Sequence, residues 1–182
     1  VIAAGGKVAI FDLNEQLANA TAEALGPSAK AFAVNVSDEE SVKAAIAGTL
    51  DAFGAIHINV NCAGVGAAAR TLGRDGAMPL ATFNFVLGVN LIGTFNVLRL
   101  CAEAMAKNTL DDEDGERGVI INTASVAAFD GQIGQAAYSA SKAGVAGLTL
   151  PIARDLSRPG LRVNTIAPGI FETPLPMASP AL

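Results

Sequence analysis

Lys7-Val8-Ala9-Ile10-Phe11-Asp12 reads as a short strand, apolar on both faces and ending on a carboxylate. The residues after it carry a helical pattern to Leu25, where Gly26-Pro27 stops it. The same alternation runs outward along the chain. Residues 31–36 and 56–60 read as further strands, and Ser37-Asp38-Glu39-Glu40 looks like a capping box opening a helix to about Phe53. A long apolar helix is expected over 80–107, a strand over 119–123, a helix over 135–156 and a last strand over 162–166. Strands that are apolar on both faces and alternate with helices predict an α/β fold, a doubly wound parallel sheet with helices on both faces. No repeat, low-complexity tract or linker divides the sequence, so residues 1–182 are expected to form a single domain.

Composition narrows the function classes. The 182 residues are 51% hydrophobic and carry a net charge of −5, which disfavours nucleic acid as a partner. The longest apolar stretch, 83–98, is interrupted by Asn84, Asn90, Asn96 and two glycines, so no membrane span is expected. Cys62 and Cys101 have no metal-ligand spacing and His57 has no companion, so no metal site is expected. The first residues lack the leader of a signal peptide. A cytoplasmic location is expected, or the mitochondrial matrix if a targeting segment precedes Val1.

In such sheets ligands bind beyond the carboxyl ends of the strands. Asp12, Asn35-Val36, Asn61 to Gly64, Ser125 and Pro168-Gly169 all fall there. Tyr138, the only tyrosine, and Lys142 lie four residues apart in a predicted helix, on one face. A nearby ammonium favours tyrosinate, which suits proton exchange with an alcohol. Ser125, at the end of the preceding strand, is placed to hydrogen-bond the substrate oxygen. Asp12 suits the two ribose hydroxyls of NAD and would repel the 2′-phosphate of NADP, and it equally suits a helix N-cap. Cys62 also reads as a small buried filler. Asn90 alone reads as a helix-interior side chain bonded to nearby backbone. Arg70 and Arg74 read as a solvated loop, although a phosphate of coenzyme A is a possible partner.

Ser125, Tyr138-Ser139-Ala140-Ser141-Lys142, Asn61-Cys62-Ala63-Gly64, Asn90 and Pro168-Gly169, in this order and spacing, resemble the short-chain dehydrogenase/reductase family. The run from Gly118 through Lys142 resembles the branch of that family acting on 3-hydroxyacyl-CoA. The resemblance implies a Rossmann-type fold and hydride transfer between NAD and a secondary alcohol or ketone, with 3-hydroxyacyl-CoA/3-ketoacyl-CoA as the leading pair. It implies Tyr138 as general acid/base and Ser125 as the group orienting the carbonyl. Lys142 would hold the nicotinamide ribose, and Asn90 would anchor a water behind Lys142. Asn35 and Val36 would meet the adenine, Asn35 standing where the family usually has Asp. Cys62, Ala63 and Gly64 would line the cofactor, and Pro168, Gly169, Phe171 and Thr173 would shape its nicotinamide end. Gln132 would reach the substrate, and a homotetramer would form through the two long helices.

One family feature has no counterpart in the sequence. The Gly-rich turn T-G-x-x-x-G-x-G that cradles a pyrophosphate at a helix N-terminus is missing. The expectation is therefore a domain incomplete at both ends, lacking its first strand, that turn and a C-terminal segment, and binding NAD weakly. A steroid or another secondary alcohol as substrate, or a non-catalytic scaffold on the same fold, are the alternative readings.

Overall fold

The first strand seen in the sequence is β1, Val8–Asp12, and it pairs in parallel with β2, Ala29–Ala33. The computed structural model describes residues 1–110 and 115–171. Phe11 stands opposite Phe32, their rings edge-to-face at 5.7 Å. Helix α1, Glu15–Leu25, joins the two strands. Its cap is Asn14, whose side chain accepts from the Leu17 amide, so the cap role open to Asp12 falls two residues later. Asp12 Oδ1 instead accepts from Asn14 N at 2.8 Å, which holds the turn. Helix α2, Glu39–Phe53, is capped by Asp38, accepting from Ser41 N at 2.8 Å. The capping box pointed to Ser37, but the Ser37 hydroxyl is taken by a distant acceptor, Gly88 O at 3.0 Å.

Three further parallel strands follow: β3 (Ile58–Asn61), β6 (Gly118–Thr123) and β7 (Leu161–Ile166), in the order β3-β6-β7. Among the described residues β1 and β3 do not pair, so the parallel strands form two groups. Between β3 and β6 lies a short antiparallel hairpin, β4 (Leu72–Gly73) with β5 (Gly76–Ala77), which the sequence pattern did not announce. Gly76 turns it with φ 118, a conformation that favours glycine.

The expected long helix is α3 (Leu80–Leu87), a π-helical segment (Gly88–Gly93) and α4 (Thr94–Met105) in continuous succession. Helix α5, Ala136–Asp155, precedes β7. Val97, Leu98, Cys101 and Met105 of α4 meet Ile120, Leu161 and Val163 of the strands and Val42 and Ile46 of α2 in one core cluster. That burial accounts for the apolarity of residues 80–105. On the other side of β3 and β7, Ile58, Val60 and Ile166 remain 53%, 52% and 54% exposed. At the amino ends of β3, β6 and β7, Asn108 Nδ2 donates to Ile56 O and Arg117 O, and Arg117 donates back to Asn108 O and to Pro159 O. This staple satisfies backbone groups where strands begin, away from the ends that carry the site.

Candidate active site

Because the strands in each group run parallel, their carboxyl ends share an edge. Beyond β6, Ala124 N donates to Ile166 O and Val126 N to Pro168 O, so the segments leaving β6 and β7 are tied together. Ser125 sits between these ties in extended backbone, and its Oγ accepts from Ala127 N at 3.2 Å. Its hydroxyl proton is free to point at a ligand.

Asn90, fully buried in the π-helical segment, gathers the rest. Its Oδ1 accepts from Val65 N at 2.7 Å, and its Nδ2 donates to Val65 O at 2.9 Å and Ser141 Oγ at 3.0 Å. Ser141 in turn donates to Tyr138 O at 2.7 Å. One amide therefore clamps the loop after β3 to the helix that carries Tyr138 and Lys142. Protein partners thus engage both arms of this side chain. The Asn90 backbone carbonyl accepts from Thr94 Oγ1 at 2.7 Å. A π-helical segment at this point is the sort of irregularity found at functional sites.

Lys142 is buried, and its Nζ donates to Thr123 O at 2.8 Å. It lies 5.7 Å from the centroid of the Tyr138 ring. Burial pushes the ammonium below its ordinary value, while the neighbouring Cys62 works in the opposite direction. Cys62 is exposed rather than a buried filler, with Thr123 Oγ1 donating weakly to its Sγ at 3.8 Å. A Cβ on Gly64 would stand 3.3 Å from Asn90 Oδ1 and 3.6 Å from Lys142 Nζ, so glycine keeps the backbone close to the clamp.

In the other group, Asp12 ends β1 and is exposed. Asn35 Oδ1 accepts from Ser37 N at 3.0 Å, and Asn35 N donates to Ser41 Oγ at 3.0 Å. Val36 nests against Gly93, where a Cβ would come within 2.6 Å of Val36 Cγ2, and Asn96 Nδ2 holds Val36 O at 2.9 Å. Gln132 is exposed in the loop before α5, and Pro168, Gly169 and Phe171 follow β7, Phe171 being exposed. Thr173 lies outside the described residues. Arg70 and Arg74 are exposed on the β4–β5 hairpin region, and the His57 carbonyl accepts from Val119 N. No group of metal-ligating side chains exists among the described residues.

The sequence reading missed Ser141 and Val65, which complete the clamp. Ser141, three residues after Tyr138 and one before Lys142, carried a positional hint, but its partner 51 positions away in the sequence was invisible. Asn61, which opens the motif Asn61-Cys62-Ala63-Gly64, belongs to a buried amide ladder, bonded to Asn59 and to Asn122 Oδ1 at 2.9 Å.

The family model for short chain dehydrogenases matches residues 1–181. The chain belongs to that family. A short-chain dehydrogenase of Drosophila melanogaster, 3-hydroxyacyl-CoA dehydrogenase type-2, is 51% identical over 178 residues, spanning 97% of this chain and 69% of the relative. The Homo sapiens protein of the same name is 49% identical over 177 residues, covering 96% of this chain and 67% of the relative. The crystal structure of 3-hydroxyacyl-CoA dehydrogenase type-2 from Mycobacterium avium superposes with a TM-score of 0.90 at 44% identity, over 97% of this chain and 70% of that one. A 3-ketoacyl-(acyl-carrier-protein) reductase from Brucella melitensis, solved with NADH, gives a TM-score of 0.83 at 33% identity, over 95% and 69%. The short-chain dehydrogenase described here is thus an oxidoreductase that uses a nicotinamide cofactor. Its residues fit such a group: a carboxylate ending β1, a glycine backbone pressed to the clamp at Gly64, and a buried amine behind it.

Proposed function

We propose that the protein transfers a hydride between NAD and a 3-hydroxyacyl-CoA, interconverting it with the 3-ketoacyl-CoA. The observation that carries this reading is the clamp. Asn90, Ser141, Tyr138, Lys142 and Thr123 form one connected set at the strand ends, next to Ser125. A proton-transfer group needs such rigid placement to work at a fixed distance from a reacting oxygen.

In the oxidative direction Tyr138 Oη takes the proton of the substrate hydroxyl. Ser125 Oγ donates to the same oxygen, holding it as it becomes a carbonyl. The Lys142 ammonium, 5.7 Å from the Tyr138 ring centroid, favours the tyrosinate that accepts this proton. The nicotinamide, when bound, supplies the hydride acceptor. Asp12 would hold the ribose hydroxyls, which supports NAD over NADP, because a 2′-phosphate would meet a carboxylate. Asn35 and Val36 would meet the adenine, and Ala63, Gly64, Pro168, Gly169, Phe171 and Thr173 the remaining cofactor. Gln132 would contact the substrate.

The test is NADH oxidation with acetoacetyl-CoA, beside NADPH and beside Tyr138→Phe. The reading expects turnover with NADH, weak turnover with NADPH, and a loss of about 10²- to 10⁴-fold in the variant. Equal rates for wild type and Tyr138→Phe would contradict it.

A further inference from the structure

Between Ser125 and Tyr138 the chain forms a strap that runs through a 3-10 turn, Val126–Ala128, and residues 129–135 before entering α5. Its ends are fixed: Asp130 N donates to Val126 O, Gln132 N to Gln135 Oε1, and Ser139 N to Gln135 O. The hairpin side is fixed too, with Ala69 N donating to Gly134 O at 2.9 Å. In the middle sits Gly131, and its φ is not left-handed, so no turn conformation demands glycine there. Space does. A Cβ at Gly131 would overlap Ser139 Oγ, with Ser139 Cβ at 3.1 Å and Ala127 O at 3.3 Å. Ser139 Oγ is itself buried and has no hydrogen-bond partner, so the bare backbone of Gly131 seals it from water.

We propose that Gly131 is a positioning residue for the reaction. Its lack of a side chain seats the strap flush on Ser139, the residue next to Tyr138, and so fixes where Gln132 and the exposed Ile133 stand relative to the phenol. This rests on Tyr138 as the proton-transfer group. A methyl at 131 collides with the Ser139 hydroxyl, while Ser139 Cβ at 3.1 Å and Ala127 O at 3.3 Å, held in the first turn of α5 and in the 3-10 turn, are tight without overlapping it. With the hydroxyl in place the strap lifts to clear it.

Two readouts test this in Gly131→Ala, Ser139→Ala and the double variant. The first is turnover of acetoacetyl-CoA with NADH. Gly131→Ala is expected to lower kcat about ten-fold or more with KM for NADH unchanged, because small misplacements near reacting atoms are costly. Ser139→Ala removes only an unpartnered hydroxyl and keeps wild-type kinetics, and the double variant recovers most of kcat. The second is acrylamide quenching of intrinsic fluorescence, which reports Tyr138 alone because the chain has one Tyr and no Trp. Quenching should rise in Gly131→Ala and return toward wild type in the double variant. Wild-type kinetics and quenching in Gly131→Ala, a double variant no better than the single, or a parallel loss of NADH affinity would each overturn the proposal. If Gly131→Ala does not fold, the double variant decides by folding and turning over, or failing to. A wild type that leaves acetoacetyl-CoA untouched while the quenching pattern holds would remove the substrate reading and leave the seat standing.

Discussion

The two halves of the strand-end edge are held in different ways. In the β3–β6–β7 half, the loop after β3 and the helix bearing Tyr138 are joined by Asn90 through bonds spanning 25 and 51 positions in sequence, all buried or part-buried. In the β1–β2 half, Asp12 and Asn35 are held by exposed bonds to amides two residues away. Long-range buried bonds act as a unit and are expensive to leave half-made, whereas exposed local bonds trade cheaply with water. On the proposed function, proton chemistry would sit on the stiff half, and base and ribose recognition on the half that adjusts locally.

The sharpest way to break this contrast is Asn90→Ala. It leaves Val65 N and Val65 O without their partner, and Ser141 Oγ with only its bond to Tyr138 O, at about 1–3 kcal/mol for each buried group left unsatisfied. A drop of about 3 kcal/mol in unfolding free energy and a fall of about 10²-fold in kcat/KM are expected from chemical denaturation and steady-state assays. Next in size is Asp12→Asn, which keeps an acceptor for Asn14 N but removes the charge. The ratio of NADPH to NADH turnover should rise about ten-fold, with stability unchanged within about 0.5 kcal/mol. Asn35→Ala breaks only its exposed bond to Ser37 N, and NADH affinity measured by fluorescence titration should weaken about three-fold.

The smallest effect sharpens the contrast through pH. Burial lowers the Lys142 value beneath its ordinary 10.5, so between that lowered value and 10.5 the unfolded chain binds more protons than the folded one. Stability contributed by this site therefore rises with pH through that window, and below it the buried ammonium carries a constant cost. Tyr138 and Cys62 are the neighbours that face it. Lys142→Met removes the buried amine, so its stability advantage over wild type at neutral pH should shrink as pH rises toward 10.5. A pH-independent difference would mean that the amine is not desolvated by the fold.

Much of this was legible in the chain itself. Residues 7–12, 119–123 and 162–166 read as strands because they are apolar runs bounded by turns, and observed boundaries fall within one residue of them. Residues 31–36 were less faithful: β2 is Ala29–Ala33, since Val34 to Val36 belong to the turn that Ser41 and Asn96 hold. Tyr138, Lys142 and Ser125 stood out because i,i+4 spacing and a strand end are local properties. The π-helical segment, the Ser141 relay and the choice of Asp38 over Ser37 as a cap all depend on partners far away in sequence. No local pattern encodes those partners.

The central claim is that Asn90 binds the loop after β3 and the helix bearing Tyr138 and Lys142 into one body. The most direct measurement is amide hydrogen exchange in wild type and Asn90→Ala, read at Val65, whose N–H donates to Asn90 Oδ1. The account predicts that Val65 loses protection in the variant together with amides around Tyr138 to Lys142, while those at Asn14 and Ser37 keep their wild-type rates. Unchanged exchange at Val65, or an equal loss in both halves, would contradict it.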